Sequence, residues 1–306
     1  MEGRVIKSTG SWYSVRCDNG QIFQCRIKGK FRLAESKLTN PVAVGDIVHF
    51  ELEEQHPDQG VIHKIEDRRN YLIRKSNKLS SQFQIIASNL DYILLLATIA
   101  RPRTTTIFID RILLAAEAYQ IPVILIFNKK DIYTDQENQI LTGYRSIYES
   151  IGYEVMVVSA FDEKDIEMLK IPIRGKISLI TGHSGAGKST IMNHLNPNLS
   201  LKTGSISKYH ERGTHNTTFA EMHSIMDDTF IIDTPGIKDF GVVEFEKDNI
   251  SMYFRDIRKF AGLCKFNNCT HVDEPDCQVI EAIKMDKLHL SRYESYLNII
   301  LSLQNS

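Results

Sequence analysis

The central part of the chain, residues 68–241, alternates unbroken apolar runs with segments in which apolar residues recur at helical spacing. The apolar runs predict buried strands at 92–98, 123–127, 155–158, 177–181 and 230–233. Helical spacing is found between them at Ile109, Ile112, Leu113 and Ala116, and again at Ile140, Leu141, Tyr144, Ile147, Tyr148 and Ile151. Strands that are apolar on both faces are typical of a parallel sheet covered by helices, so a doubly wound α/β domain is predicted.

The first 67 residues carry a different pattern, in which short strand-like runs are separated by turn residues. An Asn-Gly pair at 19–20 and further runs at 47–52 and 61–65 predict a small barrel, for which the OB type is the usual candidate. An SH3-like barrel is also compatible with this pattern. A two-residue turn at the Asn-Gly pair would place Cys17 and Cys25 on opposite faces of the hairpin, which argues against a disulfide between them.

The end of the chain is predicted to be mostly helical around a cluster of cysteines. Its final helix has one apolar face, formed by Leu290, Tyr293, Leu297 and Ile300. At 306 residues the chain is long enough for several domains, each with its own core. The changes in pattern predict an all-β barrel at 1–67, an α/β domain at 68–241 and a helical, metal-binding domain at 242–306.

The composition is that of an ordinary soluble protein, with 42% hydrophobic residues, 25% charged residues and a formal net charge of −1. Near-neutrality argues against a protein that coats nucleic acid by bulk charge, and it leaves room for local basic patches. Two patches are present in the sequence, the first at Arg26, Lys28, Lys30 and Arg32 and the second at Arg68, Arg69, Arg74, Lys75 and Lys78.

No targeting or membrane-spanning segment is predicted. The N-terminal residues precede no apolar run, and the longest run, 92–100, is far shorter than the ~20 residues of a membrane span. The 5 cysteines are an odd number, which favours metal binding or free thiols over a disulfide framework. We therefore expect a cytoplasmic protein with neither a membrane nor DNA among its partners.

A glycine-rich segment after the strand at 177–181 fits the phosphate-loop pattern G-x-x-x-x-G-K-S and leads into a helical stretch. Its candidate nucleotide-binding residues are Gly182, His183, Ser184, Gly185, Ala186, Gly187, Lys188, Ser189 and Thr190. Backbone N–H groups of such a loop converge on phosphates, and the following helix N-terminus adds a favourable dipole. Lys188 is predicted to reach the β- and γ-phosphates, and the hydroxyl of Ser189 to bind Mg²⁺.

The motif Asp233-Thr234-Pro235-Gly236 ends the strand at 230–233. An aspartate at a strand tip beside the phosphate loop is where the second Mg²⁺-organising carboxylate belongs, so this role is predicted for Asp233. The N–H of Gly236 is predicted to meet the γ-phosphate.

A polar loop between the phosphate loop and Asp233 is typical of a switch segment that the γ-phosphate orders. Thr217 is predicted to complete the Mg²⁺ shell, with Thr218 as the alternative. Many GTPases orient the attacking water with a glutamine at the position that Ile237 occupies here, and isoleucine cannot form hydrogen bonds. His215 is therefore the predicted catalytic residue that holds the water.

The segment Asn128-Lys129-Lys130-Asp131 follows the strand at 123–127 and reads as N-K-x-D. The Asp131 carboxylate would accept hydrogen bonds from guanine N1–H and the exocyclic amino group, whereas adenine offers no such donor pair. Asn128 would tie this loop to the phosphate loop, and the stem of Lys129 would lie across the base. A backbone N–H of Ser159-Ala160, after the strand at 155–158, would meet guanine O6.

Three cysteines and one histidine lie close together near the end of the chain, at Cys264, Cys269, His271 and Cys277. Three thiolates and one imidazole form a closed Cys₃His set, which is the ligand count of structural zinc and leaves no open catalytic position. We therefore predict one structural Zn²⁺.

The order of these motifs is unusual, because the base-reading motif normally follows the phosphate loop and here precedes it. With the barrel and the Cys₃His set, this order resembles one family over essentially the whole chain: the circularly permuted GTPases of small ribosomal subunit biogenesis, RsgA (YjeQ). In that family the switch typically reads Gly-(Arg)-His-Thr-Thr-Thr with a catalytic histidine. Gly213, His215, Thr217 and Thr218 match it, and Thr214 and Asn216 depart from it.

The resemblance implies a GTP hydrolase that docks on the 30S subunit late in its maturation, contacts 16S rRNA and leaves in a nucleotide-dependent manner. It implies slow intrinsic hydrolysis that the ribosome stimulates, and GTP or GDP, Mg²⁺ and Zn²⁺ as cofactors; we expect a monomer. The barrel would contact rRNA through its basic strand, with Trp12, Tyr13 or Phe31 as aromatic candidates. Trp12 and Tyr13 are adjacent on a strand, so one is expected to face inwards and the other outwards.

Two other functions are compatible with the residues. One is a nucleotide-switched rRNA-binding protein with little catalysis, and the other is a P-loop ATPase.

Overall fold

The computed structural model describes residues 1–28, 40–75, 83–202, 220–234 and 247–304. Its N-terminal strands are β1 Glu2–Ser8, β2 Tyr13–Arg16, β3 Ile22–Ile27, β4 Ile47–Glu53 and β5 His56–Ile65. They pair in the order β1-β2-β3-β5-β4, and β4 also pairs with β1, which closes the barrel. The pair β3–β5 is parallel and the other pairs are antiparallel. This arrangement is that of an OB barrel, as predicted, and not that of an SH3-like barrel.

The β2–β3 hairpin differs from the prediction by one residue in register. Tyr13 pairs with Cys25 and the N–H of Cys17 donates to Gln21 O, so the loop consists of Asp18, Asn19 and Gly20. Gly20 has a φ of 83°, which accounts for glycine at the end of this loop. The predicted opposite orientation of Cys17 and Cys25 is therefore wrong: both thiols lie in the barrel core, and both are free.

The next strands are β6 Tyr71–Lys75 and β7 Phe83–Ser88, which form a separate two-stranded sheet that the sequence pattern did not predict. The α/β sheet contains β8 Tyr92–Ala97, β9 Val123–Phe127, β10 Glu154–Val157, β11 Ile177–Gly182, β12 Glu221–Met226 and β13 Thr229–Asp233. Its order is β10-β9-β8-β11-β13-β12, and only its edge strand β12 is antiparallel to its neighbour. The strands predicted for this region are confirmed; β12 was not predicted.

Two helical layers cover the α/β sheet. The helices α1 Thr106–Ala118 and α2 Asp135–Ser150 pack on one face, and α3 Glu163–Ile173 and α4 Lys188–Leu195 pack on the other. Each layer encloses its own cluster of buried apolar side chains. Strands covered on both faces account for the unbroken apolar runs of the sequence.

The barrel and the α/β sheet are joined edge to edge, because β1 of the barrel pairs with β12 and together the strands form one 11-stranded sheet. Lys7 and Glu221 are paired across this junction, and their side chains form an ion pair of 3.1 Å. Near β7, Gly45 has a φ of 101°, and a Cβ at this position would lie 2.1 Å from Ser88 O. The close approach of the barrel to β7 therefore requires glycine at position 45.

The C-terminal part is mostly helical, as predicted, with a 3₁₀ segment Lys247–Tyr253 and the helices α5 Arg258–Ala261, α6 Gln278–Lys284 and α7 Leu290–Gln304. Tyr296 and Ile299 form the buried face of α7 with Ile300, whereas Leu290 is 54% exposed. The predicted apolar face is therefore displaced around the helix. Within the described ranges, no helix combines the length and the apolar character needed to cross a membrane.

Candidate functional site

The predicted nucleotide-binding residues lie at one edge of the α/β sheet. The strands β9, β10, β11 and β13 are parallel, so their carboxyl ends meet at this edge. They lead respectively to Asn128–Asp131, to Ser159 and Ala160, to the phosphate loop and to Asp233. Ligands of open α/β sheets bind in the crevice outside such strand ends.

Asn128 joins three of these loops. Its buried amide donates from Nδ2 to Ala186 O of the phosphate loop at 2.9 Å, and its Oδ1 accepts from the N–H of Ala160 at 3.1 Å. The structure thus brings the two predicted base-reading segments and the predicted phosphate loop together around one side chain.

Two positions of the phosphate loop require glycine for steric reasons. Gly187 has a φ of 104°, and a Cβ added there would lie 2.3 Å from Asn128 Nδ2. Gly182 has a φ of 147°, and its added Cβ would lie 2.3 Å from Leu96 O on β8. Side chains at these positions would be strained and would push the loop away from its neighbours.

Lys188, the first residue of α4, folds back over the phosphate loop. Its Nζ donates to Gly182 O at 2.7 Å and to His183 O at 3.0 Å. Burial lowers the pKa of this ammonium, and the nearby carboxylate of Asp233 opposes the shift. Burial likewise raises the pKa of the Asp233 carboxyl group, and Lys188 opposes it. Lys188 and Asp233 are therefore partly desolvated opposite charges at the phosphate end of the site.

The other predicted phosphate-loop residues differ in exposure and contacts. Ser189 and Thr190 are in the first turn of α4, half-buried, and Ser184 is exposed at the loop tip beside Gly185. The ring of His183 stacks on Phe108 of α1, with ring centroids 3.7 Å apart. Burial, assisted by the charge of Lys188, lowers the pKa of His183, which favours the neutral ring.

The base-reading loop is held in an unusual backbone conformation. Lys129 has a φ of 71°, and its Nζ donates to Arg101 O at 2.5 Å. Burial, and secondarily the charge of Arg101, lowers the pKa of Lys129. Asp131 follows in the 3₁₀ turn Lys130–Ile132 with its side chain exposed, so its carboxylate is accessible to a ligand.

Sequence reasoning missed two residues that support this loop. Asp165 of α3 accepts from Lys130 Nζ at 2.6 Å and from the N–H of Ser159 at 2.6 Å. Tyr133 donates to Asn128 O and accepts from the N–H of Ile99 at 3.0 Å. Neither residue belongs to a known motif: Asp165 contacts the turns after β9 and β10, and Tyr133 contacts Asn128 and the loop after β8.

The two N–H groups that the sequence places near guanine O6 have acceptors in this structure. The N–H of Ser159 donates to Asp165, and that of Ala160 donates to Asn128. Both residues are buried. A base oxygen at this place would therefore share the N–H of Ala160 with Asn128.

The remaining predicted site residues lie outside the described residues. They are Gly213, Thr214, His215, Asn216, Thr217, Thr218, Gly236 and Ile237.

The four predicted metal ligands lie together at the C-terminal end of the molecule. The ligand atoms of Cys264, Cys269, His271 and Cys277 are all within 4.8 Å of one another. His271 Nδ1 is 3.5 Å from the sulfur of Cys264 and 3.5 Å from that of Cys277. Tetrahedral Zn²⁺ with ligands at about 2.0–2.3 Å separates its donors by about 3.3–3.8 Å, and the two distances from His271 lie in this range.

The backbone around the cluster is fixed from two sides. Glu274 accepts from the N–H and the hydroxyl of Thr270, and these bonds hold its pKa at about 2 although burial favours the neutral form. From α7, Tyr293 donates to His271 O at 2.8 Å and Tyr296 donates to Thr270 O at 2.7 Å. The metal cluster is thus packed against the last helix.

Comparisons with known proteins agree with this geometry. The RsgA N-terminal domain matches residues 2–62, and the RsgA GTPase domain matches residues 65–243. A protein of Flavobacterium psychrophilum named "Small ribosomal subunit biogenesis GTPase RsgA" is 52% identical over 303 residues, which are 98% of this chain and 92% of that protein.

Two crystal structures share the whole architecture. YjeQ from Thermotoga maritima is 30% identical with a TM-score of 0.80, and the match covers 100% of this chain and 99% of YjeQ. YloQ, described as a circularly permuted GTPase, is 26% identical with a TM-score of 0.75, and the match covers 99% of this chain and 95% of YloQ.

The strand order, with the base-reading loop after β9 and the phosphate loop after β11, defines a circularly permuted P-loop GTPase. Both the family match over residues 65–243 and the identity to the Flavobacterium protein lead to the same assignment. The chain belongs to the RsgA GTPase family and is a GTP-hydrolysing enzyme.

Proposed function

We propose that the chain binds the small (30S) ribosomal subunit through 16S rRNA, assists its late maturation, hydrolyses GTP faster on the ribosome and then leaves. The observation that carries this proposal is the 52% identity, over 98% of the chain, to a protein named for small ribosomal subunit biogenesis. We further propose that the protein acts as a monomer in the cytoplasm, with DNA and membranes outside its partners.

The proposed guanine site uses Asp131 to accept from guanine N1–H and the amino group, and Lys129 to cover the base with its stem. The contacts of Asn128 support this role, because they hold both base-reading loops against the phosphate loop. The N–H of Ala160 would meet guanine O6. A base without the donor pair would leave the Asp131 carboxylate unpaired, which disfavours adenine nucleotides.

At the phosphate end, the residues present fit a magnesium nucleotide. Ser189 and Thr217 would hold Mg²⁺ with Asp233 organising its shell, and the bound ion would neutralise charge on the β- and γ-phosphates. Lys188 would exchange the carbonyls of Gly182 and His183 for phosphate oxygens, which are stronger acceptors for an ammonium group. His215 would orient the attacking water, and the N–H of Gly236 would donate to the γ-phosphate.

The Cys₃His cluster would hold one structural zinc, which supplies cross-links between the segments that carry its ligands. We propose domain boundaries at 1–67, 68–241 and 242–306. Separate buried clusters in the barrel and around α7 support this division.

The described part of the barrel contains only some of the predicted rRNA contacts, because Lys30, Phe31 and Arg32 lie outside it. Of the two adjacent candidates, Trp12 is 38% exposed whereas Tyr13 is buried, so Trp12 and not Tyr13 is available to a base. Arg26 is paired with Glu53 at 2.8 Å. In the second basic patch, Arg68 pairs with the fully buried Asp46, which assigns that arginine to the fold.

Co-sedimentation with purified 30S subunits tests the proposal. We expect binding with a non-hydrolysable GTP analogue and weaker binding with GDP, together with GTP turnover that 30S subunits raise. Turnover without stimulation would favour a passive nucleotide switch, and equal turnover of ATP and GTP would favour a P-loop ATPase. Equal or absent sedimentation in both nucleotide states would contradict the proposal.

A further inference from the structure

Two side chains from the loops after β9 and β10 are each held by a contact on one side of the sheet. Lys129 is tied to the layer of α1 and α2, because its Nζ donates to the carbonyl of Arg101, in the loop that leads to α1. Phe161 is tied to the opposite layer, because its ring contacts His194 on α4. The crevice between these two attachments is where Asp131 and Ala160 converge on the proposed base.

Phe161 is exposed and yet held in place. Its side chain is 74% exposed, more than any other large hydrophobic side chain described in the protein. The N–H of Phe161 donates to Ser159 Oγ at 3.2 Å, which fixes the backbone directly after Ala160. The rings of Phe161 and His194 are nearly perpendicular, with centroids 5.7 Å apart and an interplanar angle of 84°.

We propose that Phe161 is a base-binding residue, whose ring covers the face of the guanine base opposite the stem of Lys129. This inference rests on the proposed guanine site. The large exposed fraction of Phe161 leaves its ring accessible to a base, and His194 acts as a positioning residue that contacts it. The exposure of Phe161 then has a physical reason, since the base removes this apolar surface from water when it binds.

The face and the edge of the base are recognised by different residues. Stacking on an aromatic ring depends on the π-face that every base possesses, whereas Asp131 reads donors on the guanine edge. Removing the Phe161 ring should therefore weaken the binding of guanine and hypoxanthine nucleotides equally. Changing Asp131 should instead change the ratio between them, because hypoxanthine lacks the exocyclic amino group.

The first experiment measures the Kd of GDP and of inosine diphosphate by calorimetry for the native chain, Phe161→Ala and Phe161→Tyr. We expect Phe161→Ala to raise both Kd values by the same factor, about fivefold or more, and Phe161→Tyr to keep native affinity. An unchanged Kd in Phe161→Ala would overturn the proposal. A native chain that binds neither nucleotide would instead contradict the guanine site itself, and the unfolding temperature of each variant controls for folding.

The second experiment directly tests whether the side chain at position 161 contacts the base. The chain has 1 tryptophan, so a Trp12→Phe background carrying Phe161→Trp contains a single indole at the proposed site. We expect GDP to quench its fluorescence with the same midpoint as the calorimetric Kd, as stacking of a base on the indole requires. The control is Ile171→Trp in the same background, at a position 71% exposed near the far end of α3. Equal quenching in both variants, or none at position 161 while GDP binds, would overturn the proposal.

Discussion

The guanidinium of Arg292, on α7, forms an ion pair with Asp110, on α1, inside the molecule, where both side chains are almost fully buried. Asp256 accepts two further hydrogen bonds from Arg292, one from Nε at 2.8 Å and one from Nη2 at 3.1 Å. Tyr148 of α2 donates to Asp110 at 2.9 Å. Burial opposes the charged guanidinium, but the two carboxylates outweigh it and raise the pKa of Arg292.

We expect Arg292→Met to lower the free energy of unfolding by about 3–5 kcal/mol, because it leaves two carboxylates buried without their cation. Burial already raises the pKa of Asp110 in the native chain while Arg292 opposes the shift, so removal of the cation raises this pKa further. The folded variant then binds protons that the unfolded chain does not. The difference in free energy of unfolding between the native chain and Arg292→Met should therefore become smaller as the pH falls from 7 towards 5. Urea unfolding at several pH values measures both effects.

The matched control for this variant is Arg145→Met. Arg145 pairs with Glu149 one helical turn away, and both side chains are largely exposed. Such surface pairs contribute at most about 0.5 kcal/mol. A loss of stability in Arg292→Met no larger than in Arg145→Met would show that the buried pair does not stabilise the contact between α1 and α7.

Arg292 also shows why the final helix was only partly predictable. Apolar periodicity placed Leu290 on the buried face, but the structure buries Arg292 and Ser295 instead and leaves Leu290 exposed. A pattern of apolar residues cannot predict that a charged residue is buried when the partners that stabilise its charge come from distant segments. The unbroken runs of the α/β sheet were predictable, since a strand covered on both faces has to be apolar at every position.

In the candidate nucleotide site, too, some residues were predictable from the sequence and others were not. Asn128, Lys129 and the phosphate loop were recognisable because they lie at fixed spacing beside predicted strands, and Asn128 contacts the phosphate loop in the structure. Asp165 supports two loops and belongs to no motif, since its partners lie on the turn after β9 and the turn after β10. The hairpin register was wrong because the turn includes Asp18 as well as Asn19 and Gly20.

Gly187→Ala should destabilise the phosphate loop and weaken nucleotide binding. Its φ of 104° strains an L-residue by about 1–2 kcal/mol, and the new methyl group would displace the Asn128 amide. We expect a GDP Kd at least about tenfold higher, measured by calorimetry. Gly143→Ala is the control: this glycine is inside α2 with open space around it, so alanine should raise stability by up to about 1 kcal/mol and leave GDP binding unchanged.

Removal of zinc should unfold the C-terminal region. The cluster holds the carbonyls of Thr270 and His271 that anchor Tyr296 and Tyr293 of α7, so loss of the metal should reduce helical circular dichroism. Cys277→Ser should bind less than one zinc per chain by metal analysis. Cys25→Ala, which changes a thiol in the barrel core away from the cluster, should retain one zinc. An unchanged dichroism spectrum after complete chelation would contradict a structural role for the metal.

Asp131→Asn should transfer preference from guanine to xanthine nucleotides. Xanthine carries a carbonyl oxygen where guanine carries the amino group, and the asparagine amide can donate to it. We expect GTP to bind and turn over more weakly and xanthosine triphosphate more strongly than with the native chain. The exposed Asp135→Asn, in the first turn of α2, removes a carboxylate nearby and should leave the preference unchanged. Unaltered GTP turnover in Asp131→Asn would contradict the proposal that Asp131 recognises guanine.

His215→Ala should lower kcat and leave the affinity for GTP nearly intact, because a residue that orients water acts on the reaction and not on the bound ground state. Removing one general acid–base or water-orienting group lowers turnover by about 10²–10⁴-fold. Single-turnover hydrolysis on 30S subunits and a separate Kd for a non-hydrolysable GTP analogue distinguish the two quantities. The control is His223→Ala, which changes a half-buried histidine on β12 of the same domain. This variant should keep the native kcat. A rise in the Kd of His215→Ala as large as its fall in kcat would make His215 a binding residue instead.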